Sequence, residues 1–422
     1  RTMHRFWIFN HYATTPLTGP LLRHYYFAEY LKERNIETTV FAANELHQTG
    51  GCVDTHGKPY LRTEEEGVPF VFVKTSKYEG NGISRVKNMV SFFLGLLKIS
   101  KGYAKQYGKP DVIMGSSAHP LTSIAGILVA RRFRVPAIVE VRDLWPEAIF
   151  SFGKVKMNSL VGRLLSAGEK WMYVHADAIV FTKEGDVDHI KEMGWDKDHG
   201  GKIDLAKCHY INNGVNLKDY YASIEKDILK DPDLEDDSFK VVYTGTVRPV
   251  NNVGNLLDTA KLLKDKKDIK FLIFGGGSEL EKLEKRVQDE HIDNVIFKGF
   301  VEKKYIPYIL SRSSVNVLNY SQANYNWSRG NSSNKLFEYM ASGKPIISTV
   351  KMGYCILDKY QCGLSLDECT PKALAEQILK IHDMPEEAYA QMAENAKNGA
   401  KDFDFPVLTR KLYQVIKSVE KN

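Results

Sequence analysis

The chain has 422 residues, 43% hydrophobic and 26% charged, with a formal net charge of +6. That length predicts two or more domains with cores of their own, in a composition ordinary for a globular protein. The mild charge, with no dense Lys/Arg tract interleaved with aromatics, argues against a nucleic-acid partner and leaves anionic partners open. Cysteines at 52, 208, 355, 362 and 369 form no C-x-x-C pair and no zinc spacing, which suits reduced thiols in a cytosolic protein. No signal peptide is read at the start, and apolar stretches such as "MVSFFLGLL" (89–97) are too short to span a bilayer.

Strand-like and helix-like segments alternate from the beginning. "RFWIF" (5–9) reads as a strand, 21–34 as a helix and "TTVFAA" (38–43) as a strand. A helix over 84–107, strand "DVIMGS" (111–116), helix 121–133, strand "AIVEV" (137–141), helix 158–174 and strand "AIVFT" (178–182) follow. "YINNGV" (210–215) closes this half, and the acidic, Pro-bearing "EKDILKDPDLEDDS" (225–238) reads as a linker. The alternation then restarts with "KVVYTGT" (240–246), helix 253–265, "KFLIFGGG" (270–277), helix 278–290, and strands "VIFKGF" (295–300), "VNVLN" (315–319) and "PIIST" (345–349). Repeated β-α-β units imply two parallel sheets with helices on both faces and ligands beyond the strand carboxyl ends. The expected organisation is an N-terminal domain over 1–215, a linker over 216–238, a second domain over 239–404, and a C-terminal helix over 405–422 returning to the first domain.

Several motifs are missing. The first strand leads into "NHYATTPLTGP" without G-x-G-x-x-G, "FGGGSELEKLE" (274–284) lacks the spaced third glycine, and no P-loop occurs. Asp-x-Asp triplets at 186–188, 231–233 and 402–404 read as a helix start, the linker and a surface turn, so no metal and no cofactor is expected. "SRGNSSNKLFEYMASGKPI" (328–346) is more informative. Ser332, Ser333 or Asn334 can cap a helix on which Leu336, Phe337 and Met340 share a face, and Gly343 and Pro345 end it. A helix start attracts anions, and Lys335 adds a full charge there. "YTGTVRPVNNVGNLLDTAKLL" (243–263) places Arg248 on another strand-to-helix junction, so together the two junctions suit a diphosphate.

"GTVRPVNNVGNLLDTA", "FLIFGGGSELEKLEKRV", "VIFKGFVEKKYIPYILSRSSVNVL" and "NKLFEYMASGKPIIS" resemble, in order, the nucleotide-binding half of glycosyltransferase family 4. "NHYATTPLTGPLLRHYYFAEYLKERNIETTVF", "PDVIMGSSAHPLTSIAGILVARRFRVPAIVEVRDLWPEAI" and "YINNGVN" extend the resemblance over nearly the whole chain. Within that family the chain is similar to the bacterial surface-polysaccharide branch typified by WbuB-like N-acetylfucosamine transferases. The resemblance implies an α/β GT-B fold, two Rossmann-like doubly wound parallel-sheet domains facing across a cleft. It also implies metal-free transfer with retention from a nucleotide sugar, expected to be a UDP-sugar of N-acetylhexosamine or deoxy type. The acceptor implied is a lipid-linked glycan, and the location the cytoplasmic face of the inner membrane, held peripherally.

Carried over by motif, Arg248 and Lys335 would hold the diphosphate and Glu338 the ribose hydroxyls, with Gly19, Gly275 and Gly299 in turns near the nucleotide sugar. Two positions depart from the family pattern. Gly330 stands where many relatives have a sugar-binding glutamate, which leaves Asn331, Ser332, Ser333 and Asn334 as substitutes, and Asn251-Asn252 replace a frequent lysine. Arg142 occupies a common histidine position, and His119 reads equally as its replacement or as a structural helix-start residue. Arg142, Asp143 and Glu147 lie where an acceptor would approach, and Trp145 is either beside them or in the core. Finally, 82–109 combines Met89, Val90, Phe92, Phe93, Leu96 and Leu97 with Arg85, Lys87, Lys98, Lys101 and Lys105. It is expected to serve the core and an anionic membrane surface at once.

Overall fold

Apolar runs flanked by glycine turns and amphipathic stretches become two separate sheets in the computed structural model, which describes residues 4–46, 51–80, 82–117, 119–145, 156–321 and 326–420. The first contains β1 (His4–Asn10), β2 (Ile36–Ala43), β3 (Tyr60–Glu65), β4 (Val68–Val73), β5 (Val112–Ser117), β6 (Ala137–Val141), β7 (Ala178–Phe181) and β8 (Cys208–Tyr210). Their order is β3-β4-β2-β1-β5-β6-β7-β8, parallel except for the edge pair β3 and β4. The second contains β9 (Phe239–Thr244), β10 (Ile269–Phe274), β11 (Val295–Gly299), β12 (Val315–Leu318), β13 (Ile346–Ser348) and β14 (Gly363–Ser365). It is parallel throughout, in the order β11-β10-β9-β12-β13-β14. Each sheet therefore reverses its direction of growth once, at β1/β5 and at β9/β12, and such reversals leave a crevice at the strand carboxyl ends.

Both faces of each sheet are covered, which is why the strands read as continuous apolar runs. In β1, Trp7 and Phe9 enter one core with Phe92, Leu96 and Tyr103 of helix Ile83–Tyr107, while Phe6 and Ile8 enter another. That second core takes Phe27 of helix Arg23–Leu31 and Leu408, Leu412 and Ile416 of helix Phe405–Glu420. Burying one such large side chain contributes about 1.5–3 kcal/mol, so the two-period pattern of a single strand commits it to both layers.

The chain divides into two units, Arg1–Asn212 with Phe405–Asn422, and Asn213–Asp404. The acidic stretch read as a linker lies inside the second unit, with helices Leu217–Lys226 and Pro232–Glu235. Its carboxylates fasten three neighbouring strands: Asp231 to Lys298 at 2.9 Å, Asp233 to Lys270 at 3.0 Å, and Asp236 to Lys240 at 3.4 Å. Charge density that resembled a solvated tether is a clamp.

Candidate active site

In the second unit, the backbone ladder continues past the strand ends through glycines. Gly245 N–H donates to Phe274 O at 3.0 Å, Gly275 N–H to Gly299 O at 2.8 Å, and Val247 N–H to Gly276 O at 2.9 Å. A Cβ on Gly275 would lie 1.6 Å from Gly245 O, and both residues have φ values, +141° and +150°, that side chains rarely adopt. The missing side chain at Gly245 also makes room for Lys335, whose Nζ would lie 2.3 Å from a Cβ there. That ammonium sits 4.9 Å from the Tyr243 ring centroid.

Lys335 is delivered by helix Asn334–Ala341. Gly330, at φ +115°, ends the short turn Trp327–Arg329, and Asn331 Oδ1 accepts from Ser333 N–H at 2.9 Å. Ser333 holds the N-cap position, but its side chain makes no capping bond, contrary to the capping expected of this serine-rich start. Leu336, Phe337, Tyr339 and Met340 are buried, and this orients Lys335 and Glu338 to the other side. The surface ion pair that their spacing allows is not formed; among the described residues neither has a salt-bridge partner. Each keeps part of its surface open, yet desolvation is the largest influence on both charged ends. Burial pulls the Lys335 ammonium down to about 8 against the opposing pull of Glu338. Burial pushes the Glu338 carboxyl up, against Lys303 and Lys335.

Arg248 follows the same strand end as Gly245, extended and exposed, and its side chain makes no hydrogen bond or ion pair among the described residues. At Asn251 and Asn252 it is the backbone that has a structural use. Asn319 Nδ2, just past β12, donates to the carbonyls of Asn251 and Asn252 at 2.6 and 2.9 Å, tying the Arg248 loop to the adjacent strand. Gly299, at φ +73°, ends β11. Ser332 O accepts from Asn213 Nδ2 at 2.7 Å, and Asn334 is exposed.

The first unit has its own polar centre at the β1/β5 reversal. His119, buried, precedes helix Pro120–Phe133, and its Nε2 lies 2.9 Å from His11 Nδ1. Burial, with Arg85 and Arg142 nearby, pushes its pKa down to about 3, so the ring stays neutral. Arg142 Nη2 donates to Asn10 Oδ1 at 2.8 Å. Asn10 Nδ2 meets His24 Nδ1 at 2.8 Å, and His24 Nε2 meets Glu140 Oε1 at 2.6 Å. Arg23 donates to Glu140 Oε2 at 3.0 Å, and Ser116 donates to Oε1 at 2.8 Å. Although burial opposes it, Arg23 and His24 hold the Glu140 carboxyl well below its usual range. Asn10, His11, Arg23, His24, Asn88 and Glu140 were not singled out from the sequence. A glutamate inside the apolar strand "AIVEV" was the available signal, because a buried charge must be paired.

Asp143 is exposed, 3.8 Å from Lys183. Trp145 is half-buried and lines a cavity of about 180 Å³ with Leu121, Val141 and Leu164. Gly19 lies in the turn after β1, its N–H donating to Thr15 O at 3.1 Å, and Glu147 falls outside the described residues. Carboxylates of the Asp-x-Asp triplets serve the fold: Asp231 and Asp233 clamp lysines, Asp402 accepts from Tyr360, and Asp404 accepts from Leu217 N–H.

Comparison with known proteins bears on both units. Residues 18–200 match the glycosyl transferase 4-like domain, and residues 225–399 match the glycosyl transferases group 1 model. No curated protein sequence matches the chain. Among solved structures, sucrose-phosphate synthase from Thermosynechococcus elongatus is similar with a TM-score of 0.70 at 17% identity, covering 98% of each chain. HepE of Anabaena in complex with UDP aligns with a TM-score of 0.67 at 14% identity, over 99% of this chain and 100% of that one. The α,α-trehalose 6-phosphate synthase of Burkholderia multivorans gives a TM-score of 0.67 at 11% identity, over 99% of both. What these distant structures share with this chain is the GT-B fold.

Proposed function

We propose that this chain, which its two family domains make a glycosyltransferase of the GT-B type, moves a sugar from a UDP-sugar to a lipid-linked glycan acceptor, retaining configuration and using no metal. One observation carries the reading. Lys335 and Glu338 share one helical turn, desolvated and without salt-bridge partners among the described residues, and the lysine occupies space that a Cβ at Gly245 would fill. Two opposite charges left apart in this way suit a ligand with an anionic part and a hydroxyl-rich part. In this reading Lys335, Arg248 and the helix start take the diphosphate, and Glu338 accepts from ribose hydroxyls. The bond between the anomeric carbon and the diphosphate breaks, and charge grows on the departing oxygen. Preorganised cations act most strongly on such developing charge. The uridine assignment draws support from the UDP held by the HepE structure.

The first unit supplies the acceptor side in this proposal, with His119, Arg142 and Asp143 at its strand ends. Peripheral attachment to the cytoplasmic face of a bacterial inner membrane, in surface-polysaccharide synthesis, belongs to the same reading. No helix among the described residues is long and apolar enough to cross a membrane. Helix Ile83–Tyr107 buries Phe92, Leu96, Ile99 and Tyr103, while Ile83, Val86, Val90 and Leu94 are exposed beside Lys87 and Lys98. The apolar face offered to lipid is therefore a different one from the Phe92–Phe93–Leu96 set, which serves the core.

A thermal-shift screen of nucleotides and sugar nucleotides tests the donor, followed by turnover with and without glycan acceptors. UDP binding with acceptor-dependent transfer is expected. Hydrolysis or epimerisation alone would replace the reading with another enzyme of the same fold, and binding without turnover would make the chain a nucleotide-sugar or membrane-binding module.

A further inference from the structure

We infer that the cavity between helices Pro120–Phe133 and Leu160–His175 takes the hydrocarbon chain of a phosphate-bearing lipid, the acceptor's own chain in the reading above. Leu121 and Ile124 line it from the first helix, Val141 from the end of β6, and Leu165, Gly168 and Met172 from the second helix. The polar side chains around this space are already engaged. Tyr173 donates to Glu169 Oε2 at 3.0 Å, His189 Nε2 meets Glu169 Oε1 at 3.1 Å, and Ser117 donates to Glu140 O at 3.2 Å. Asp143 lies 3.8 Å from the Lys183 ammonium. Among the described residues, the lining therefore has two carboxylates, no cation, and one unbonded side-chain donor, the Trp145 indole N–H. Sugars and anions need donors to replace their water, and an apolar chain needs none.

Size and access agree with a chain. The volume of about 180 Å³ slightly exceeds that of an apolar cavity that stays dry and binds benzene, so it holds about one isoprene unit. Leu164 lines the cavity and is also 65% exposed, with Leu160 and Val161 near it at 77% and 55%. The space thus opens onto an apolar rim at the start of the helix. Half-buried Trp145, an apolar ring with a polar tip, suits the boundary between chain and water. Gly168 keeps the space open from within: a Cβ there would have no atom within 4 Å, although glycine in a helix interior costs stability relative to alanine. Charge beside the rim selects the kind of lipid. Arg163 and Lys170, two turns apart, line an open hollow of about 360 Å³ on the same helix. Both are exposed, and neither side chain has a hydrogen bond or ion pair among the described residues. Arg163 adjoins Leu164, so a phosphate at the rim meets a guanidinium with its donors unused. That the lipid is the acceptor rests on the transferase reading; the cavity's preference for a chain does not.

Isothermal calorimetry of the full chain with farnesyl phosphate, held below its micellar concentration, tests the site. Binding is expected, with the negative heat-capacity change that accompanies apolar burial. Gly168→Leu is the blocking variant, because its side chain grows into open space from a helical backbone. It should weaken farnesyl phosphate by about tenfold, roughly the loss of two buried methylenes, while melting no lower than wild type and binding UDP equally. Farnesol should bind and respond to Gly168→Leu in the same way. Arg163→Gln should weaken farnesyl phosphate by up to about fivefold and leave farnesol unchanged. No binding of farnesyl phosphate, or equal binding by wild type and Gly168→Leu, overturns the inference. Phosphatidylglycerol vesicles separate the acceptor's chain from bulk lipid. Wild type and Gly168→Leu should co-sediment with them equally, and a matching loss in the variant would give the cavity to membrane lipid and overturn the acceptor assignment. Should UDP fail to bind at all, the transferase reading falls while the cavity still stands on farnesyl phosphate.

Discussion

Replacing Lys335 by methionine is expected to stabilise the free protein while removing its affinity for UDP. The ammonium's pKa falls from 10.5 to about 8 because burial penalises its charge. At 1.36 kcal/mol per unit, that depression corresponds to about 3 kcal/mol against the charged form. The sign follows from proton linkage. Between pH 8 and 10.5 the unfolded chain binds more protons than the folded one, so wild-type stability rises with pH across that window, and the full penalty is present below it. Methionine escapes the penalty at pH 7 but forfeits about 1 kcal/mol of attraction to the Tyr243 ring. With the lysine's remaining exposure further discounting the gain, a net of about 1–2 kcal/mol is expected from urea unfolding at pH 7, shrinking toward pH 10. Binding provides the second arm. Only the charged lysine suits a diphosphate, so the apparent Kd for UDP should rise about tenfold between pH 7 and 9 as the competent fraction falls. Lys335→Arg, charged throughout, should abolish that rise and also control for ionisation of the base. A methionine variant less stable at pH 7, or a flat wild-type Kd, would refute the argument.

Arg248→Ala should lower transfer by on the order of 1.5–3 kcal/mol, roughly 10- to 150-fold, with an unchanged melting curve because the side chain is exposed and unengaged. Wild-type turnover in that variant would remove Arg248 from the phosphate site. Activity should survive EDTA, since cationic side chains and a helix start take the role of a metal; a strict Mg²⁺ or Mn²⁺ requirement would contradict this. Binding to anionic liposomes should be salt-sensitive and weakened by Lys98→Glu, Lys101→Glu and Lys105→Glu together, as read by co-sedimentation. Equal pelleting of wild type and triple variant would leave helix Ile83–Tyr107 as ordinary core.

The parallel framework was legible because parallel strands buried on both faces leave unbroken apolar runs, and each run of that kind, from "RFWIF" to "PIIST", is a strand. What escaped was shorter or differently punctuated. Strands β3 and β4 form a hairpin over the two-residue loop Glu66-Gly67, both residues at positive φ, and Glu-Gly advertises such a turn less clearly than Asn-Gly. Strands β8 and β14 have three residues each, too few to show a period. The acidic segment 225–238 was misread for another reason. Composition reports charge but not its partners, and Lys240, Lys270 and Lys298 are distributed over three strands.

The same division runs through the two polar centres. In the second unit, Lys335, Glu338 and Gly330 occur within nine residues of one another, and a helix start can be read locally, so the resemblance reaches the site. In the first unit the centre is assembled from Asn10, His11, Arg23, Asn88, His119, Glu140 and Arg142, which come from five separate stretches of the chain. Glu140, a carboxylate inside an apolar strand, carries a local signal, and the others are made useful by what the sheet order brings beside them. Arg142 shows this most clearly. Where relatives commonly have a histidine, this chain has a guanidinium anchored to Asn10, and a histidine arrives from the neighbouring strand end instead. Substituting Arg142 by histidine would therefore take away the guanidinium bond that Asn10 Oδ1 accepts.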